Sequence, residues 1–223
     1  MTGYSLLQYA HILLFVYWLG ADLGVFLASR YVARSDLAID ERLRFLELLL
    51  KIDMGPRTAL ILMIPVGFEL ATRLGVAPFA ASWTLAIWIA SLLWLALAWY
   101  LYFNTRNPAA KPLARLDQSI RIAVVVVFLA LGLLSWFAGG PLEARWLAAK
   151  LVLFAGVVTL GLILRVTIRD WILGFGMLRD PAQATAANVL IFNAYRRATR
   201  FAHSLWLLVA LIALLGVAKP LLS

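Results

Sequence analysis

Residues 82–103 read SWTLAIWIASLLWLALAWYLYF, 22 residues without one acid or base. As an α-helix this stretch reaches about 33 Å at 1.5 Å per residue, enough to cross the hydrocarbon core of a bilayer. Five further runs, approximately 6–28, 58–74, 120–137, 144–164 and 201–218, have the same apolar character. None shows the strict apolar–polar alternation of a membrane β-barrel. The sequence therefore predicts an all-α integral membrane protein, a bundle of about six transmembrane helices forming one domain over residues 1–223.

Composition agrees. Of the 223 residues 64% are apolar and 14% charged, and the mean hydropathy is +0.92, whereas a soluble domain carries about a quarter of its residues as charges. The net charge of +9 does not point to nucleic acid, because the basic residues sit in short segments between apolar runs. Of the 20 Lys and Arg, 16 fall after the first, third and fifth spans: Arg30, Arg34, Arg42, Arg44, Lys51, Arg57, Arg106, Lys111, Arg115, Arg121, Arg165, Arg169, Arg179, Arg196, Arg197 and Arg200. The positive-inside rule then places both termini outside the cytoplasm of a bacterial-type inner membrane. The absence of cysteine removes disulfides, thiolate metal sites, iron–sulfur clusters and c-type haem attachment. The start, Met1-Thr2-Gly3-Tyr4, has no basic leader and its apolar run continues to about Leu27, so the first helix is expected to be retained.

Two segments outside the spans keep helical character. Residues 37–51 alternate apolar and charged sides, as an interfacial helix does. Residues 165–200 hold helical periodicity on both sides of a break at 176–181 and are expected to protrude into the cytoplasm.

Ionisable groups within spans are costly and mark candidate sites. There are five: His11, Asp22, Glu69, Lys150 and His203. Counting residues from the span ends puts His11, Glu69 and Lys150 in one layer roughly 7–9 Å inside the outer boundary. Asp22 and His203 form a second layer toward the cytoplasmic side. The two histidines differ in depth by roughly 10–20 Å, which rules out both binding one iron. Tyr4, Gln8, His11, Phe15, Trp18, Asp22 and Val25 recur at spacings of four and three and so share one helix stripe. Trp146, Lys150 and Phe154 share a stripe on the fifth span, and Pro65 is expected to kink the second. Plainer roles exist for each group. Lys150 can snorkel to the interface, Glu69 can pair with Arg73 one turn on, and Asp22 and His203 can pair with each other or with Arg57 or Arg200. Trp83, Trp99, Tyr100, Tyr102 and Trp136 fit interfacial belts, with only Trp88 and Trp94 deeper.

Three pieces resemble the small J-type membrane protoporphyrinogen IX oxidases and, more loosely, the copper-resistance D-type membrane proteins. They are the first span from His11 through Trp18 and Gly20 with its basic exit at Arg30, the run Trp146-Leu147-Ala148-Ala149-Lys150-Leu151, and the ending Lys219-Pro220. The resemblance implies b-type haem, with His11 as axial ligand and Lys150 essential beside it, Trp18 and Trp146 flanking the cofactor and Glu69 as a neighbouring proton or charge partner. The family has about four spans and an asparagine-glutamate-x-proline motif before the last. Here there are six spans, and Ala202-His203-Ser204-Leu205 stands in that place.

The expected function is that of a haem-dependent oxidoreductase in electron transfer, with membrane lipid, a quinone or another membrane redox protein, and a second copy of the chain as compatible partners. A proton- or metal-coupled transporter using all five ionisable groups, and a non-catalytic assembly subunit docking through 165–200, are the alternatives.

Overall fold

A computed structural model describes residues 3–105 and 107–219; Met1, Thr2, Arg106 and Pro220, used in the topology and motif readings above, lie outside them. Seven α-helices follow one another: α1 (Gly3–Val32), α2 (Ile39–Ile52), α3 (Met54–Arg73), α4 (Ala81–Phe103), α5 (Lys111–Phe137), α6 (Arg145–Met177) and α7 (Ala184–Ala218). Among the described residues, α1, α4, α5, α6 and α7 are long and apolar enough to cross a membrane. Helix α3 has 20 residues and lies between α1 and α4. The chain is an all-α membrane bundle.

Helices adjacent in sequence pack side by side from α3 to α7, closely for α5–α6 and α6–α7, and a lighter α1–α7 contact closes the ring. Lipid is as apolar as leucine, so close packing rather than water exclusion must hold these helices together. Gly132 of α5 shows how close. A Cβ there would stand 2.8 Å from the Ala148 carbonyl oxygen and 2.7 Å from Val152 Cγ2 on α6. Gly174 of α6 meets Ile191 of α7 in the same way, at 2.5 Å. Pro65 lies within α3, which continues through it.

The same chemistry makes both hairpins at the basic end. In Asn107-Pro108 and Asp180-Pro181 the side chain accepts from the backbone N–H two residues on, at 3.0 Å in each case, and proline opens a short 3-10 turn. The side chain satisfies an orphan donor and proline lacks one, so both residues suit a helix start. At the opposite end, Glu143 N–H donates to the Val76 carbonyl at 3.0 Å, joining the α3–α4 and α5–α6 loops.

Helices α6 and α7 run on past the apolar spans without interruption. Together with α2 and the end of α1 they enclose a second, smaller core of Ala28, Val32, Leu46, Leu49, Trp171, Phe175, Ile191 and Ala194. The amphipathic helix expected at 37–51 is α2, and it differs from expectation at one residue. Arg42 points inward and is 2% exposed. Its Nε donates to the Val32 carbonyl (3.0 Å), its Nη1 to Asn188 Oδ1 (2.8 Å), and its guanidinium lies 5.1 Å from the Phe175 ring centroid. The last carbonyls of α1 have no intrahelical donor, and Arg42 supplies one while joining α2 to α7. Burial lowers its pKa.

Candidate functional site

The bundle encloses a cavity of about 550 Å³ between α1, α3, α5, α6 and α7, within the usual range for small-molecule and cofactor sites. The α1 stripe builds one wall, with Tyr4, Gln8, His11, Phe15 and Trp18 all facing it. Trp146 and Lys150 on α6 build another. Thus His11, Lys150, Trp18 and Trp146, on two helices distant in sequence, border one space.

His11 Nδ1 is buried without a hydrogen-bond partner among the described residues. It lies on the α3 side of the ring, where Gly67 leaves room: a Cβ at Gly67 would be 3.4 Å from His11 Cε1 and 4.0 Å from Nδ1. Lys150 Nζ lies 5.8 Å from the Trp146 ring centroid. Gly216 on α7 makes its space, since a Cβ there would stand 2.8 Å from Nζ. Among the described residues Lys150 has no ion pair. An imidazole with an unpartnered nitrogen and a lysine without a counterion therefore share an apolar, aromatic-walled space, and such groups are expected to have partners when buried.

Glu69 sits at the expected depth but faces elsewhere. It accepts from Arg73 Nη2 (2.6 Å) on its own helix and from Trp88 Nε1 (2.8 Å) on α4. Ile64, Gly67, Ala71 and Leu74 carry the cavity face of α3, and a residue two positions from Gly67 lies about 200° around the helix. Helical rise fixes depth but not azimuth, so the role of proton partner to His11 and Lys150 does not fit Glu69. The plainer pairing with Arg73 is the one formed.

The second layer separates as well. Asp22 borders a smaller chamber of about 90 Å³ with Asp53, Arg57, Arg121 and Arg165, and its Oδ2 accepts from Trp206 Nε1 at 2.7 Å. It pairs neither with His203 nor with Arg57, which pairs with Asp53. His203 is exposed and its ring packs 5.6 Å from both Phe26 and Trp206. Phe26 is fifteen residues beyond His11 on α1, about 22 Å along the axis, so the two histidines are far apart.

One buried cluster escapes a reading of the sequence. Asp117, 2% exposed, accepts from Trp94 Nε1 (2.8 Å), Arg121 Nε (3.2 Å) and Arg165 Nη2 (2.6 Å), tying α4, α5 and α6 together. The available signal is an acid four residues before an arginine at the mouth of an apolar run. In the sequence alone Arg121 and Arg165 serve only as topology markers.

Among the described residues no three His, Cys, Asp or Glu side chains come together as a metal cage. A bare divalent ion, which needs several protein ligands, has no such donor set there. A porphyrin brings four nitrogens of its own and asks the protein for one or two, which the His11 imidazole fits. No family model, no curated protein and no solved structure gives a significant match to the chain.

Proposed function

We propose that the chain is a membrane b-type haem protein that carries out electron transfer or oxidation, related in chemistry to the J-type protoporphyrinogen IX oxidases, in a bacterial-type inner membrane. The observation that carries the reading is the unpartnered His11 imidazole at the wall of the 550 Å³ cavity, with Lys150 bordering the same space. His11 would hold the iron, and Trp18, Trp146 and Phe154 would supply flat apolar surface for a macrocycle. Lys150 supplies a positive charge, suited to a carboxylate of the bound group or of a substrate. Bound haem supplies the one-electron step, while the protein contributes ligation, orientation and electrostatics. A quinone or another membrane redox protein would be the electron partner of such a site.

The test is a reduced-minus-oxidised visible spectrum and a pyridine haemochrome assay on detergent-purified protein made with ample haem supply, with His11→Ala and His203→Ala alongside. Near-stoichiometric b-type haem, lost with His11→Ala and kept with His203→Ala, is the expected result. Haem-free native protein, or haem that survives His11→Ala, sinks the proposal.

A further inference from the structure

The large cavity and the small chamber share one wall residue, Trp18. Its indole is 4% exposed and meets Phe154 of α6 edge to face at 6.0 Å. On one side of Trp18 lie His11 and Lys150; on the other lies Asp22, one turn further along α1. The small chamber is lined by partly exposed Asp53 (20%), Arg57 (29%) and Arg165 (31%) and by the more buried Arg121 (8%). Its volume of about 90 Å³ is room for about three waters at ~30 Å³ each, and its polar walls supply the hydrogen-bond partners that buried water requires.

The charges lining the chamber, and Asp117 beside it, are distributed unevenly. Asp53 pairs with Arg57 of α3, and Asp117 of α5 is shared between Arg121 of α5 and Arg165 of α6. Among the described residues Asp22 of α1 has no cation of its own. From α7 it meets only the Trp206 indole N–H, with the His203 ring beyond, and that bond occupies Oδ2. No donor among the described residues reaches Oδ1. Three guanidiniums thus face two paired carboxylates and one that can take up or give up a proton without breaking an ion pair.

We infer that the small chamber is a proton route from the basic face toward the large cavity, with Asp22 as the carrier and Trp18 as the partition. A chamber water passes a proton to Asp22 Oδ1, and the carboxylic acid returns it to another chamber water, because the Trp18 indole, a donor only, offers no acceptor toward the large cavity. Only O–H bonds are exchanged and no electron moves. The route ends at the partition, so the native bundle takes up protons at Asp22 from the basic face without conducting them across the membrane.

This makes a test that does not depend on haem. Trp18→Ala joins the two spaces, and the large cavity is open at the far end, where Val217 is 85% exposed. In proteoliposomes holding a pH-sensitive dye, with a potassium diffusion potential as driving force, Trp18→Ala should leak protons several-fold faster than the native chain. Adding Asp22→Asn should return the rate nearly to native. A folded Trp18→Ala protein that does not leak, or a leak that Asp22→Asn leaves unchanged, overturns the route. If Trp18→Ala does not fold, infrared spectroscopy of the native chain decides. The carboxylic acid band that Asp22→Asn removes must appear as pH is lowered and must shift within the mixing time on transfer to D2O. An absent or slowly exchanging band overturns the proposal. Haem content is read separately on the same preparations, so either proposal can fail alone.

Discussion

The two ends of this bundle treat buried polarity in opposite ways. At the basic end the acids are matched with arginines: Asp117 accepts from Trp94, Arg121 and Arg165, Asp53 pairs with Arg57, and the partly exposed Asp170 on α6 pairs with Arg197 on α7. Buried Arg42 has a carbonyl and an amide oxygen as acceptors and keeps one unpartnered Nη2 among the described residues. At the other end an imidazole and a lysine that have no hydrogen-bond partner at Nδ1 and no counterion among the described residues border 550 Å³ of apolar space. Burying a polar group without a partner costs free energy, and burying a charge costs more. A network that meets this cost with its own partners holds helices together. Groups that leave it unmet beside a cavity are kept for something the chain binds, and Asp22, half committed to Trp206 and half free, falls between these cases.

The largest expected effect is at the matched end. Asp117→Ala leaves Arg121 buried, and Arg165 partly buried, with no anion. Breaking a buried ion pair from one side typically costs about 3–5 kcal/mol, so unfolding in detergent, followed by helical circular dichroism, should shift by that much or the variant should fail to fold. A shift below about 1 kcal/mol, within the range of an exposed pair, would mean that the cluster does not hold the bundle. Trp94→Phe should cost less. The ring stays against Arg121, whose guanidinium lies 5.3 Å from its centroid, and only the N–H bond to Asp117 is lost. Its expected cost is about 1 kcal/mol, between the ~0.6 average for interhelical hydrogen bonds in membranes and the ~1.5–3 of bonds to charged groups elsewhere.

What the sequence made legible follows from what a helix repeats. Periodicity of 3.6 put Tyr4, Gln8, His11, Phe15 and Trp18 on one stripe, and all five face the cavity. Rise per residue, combined with the alternation of spans, brought His11 and Lys150 to one depth although 139 positions separate them. The same arithmetic gave Glu69 the right depth on the wrong side of α3, because packing between α3 and α4 sets rotation about the axis and the sequence of one span does not contain it. Asp117 was illegible for a related reason. An acid at the end of a span reads as a loop residue until the helix bearing Arg165 is known to pack against it. Arg42 was hidden by averaging, since one inward arginine barely disturbs an amphipathic pattern with Asp40, Glu41 and Arg44 turned outward.

The smallest expected effect on stability lies at the unmatched end, where it most sharpens the contrast. Lys150→Met keeps the length and most of the volume of the side chain, and no ion pair among the described residues is broken. Volume-conserving changes of this kind usually cost under about 1.5 kcal/mol, and here removal of an unpaired buried charge works in the opposite direction. The variant should therefore unfold within about 1 kcal/mol of the native chain, with the thioether still fitting into the space that Gly216 leaves open. Its haem occupancy, or the salt and pH dependence of that occupancy, should nonetheless change. If Lys150→Met were as destabilising as Asp117→Ala, Lys150 would be holding the bundle in a partnership the structure does not contain, and the division of the molecule into a matched end that folds and an unmatched end that binds would fail.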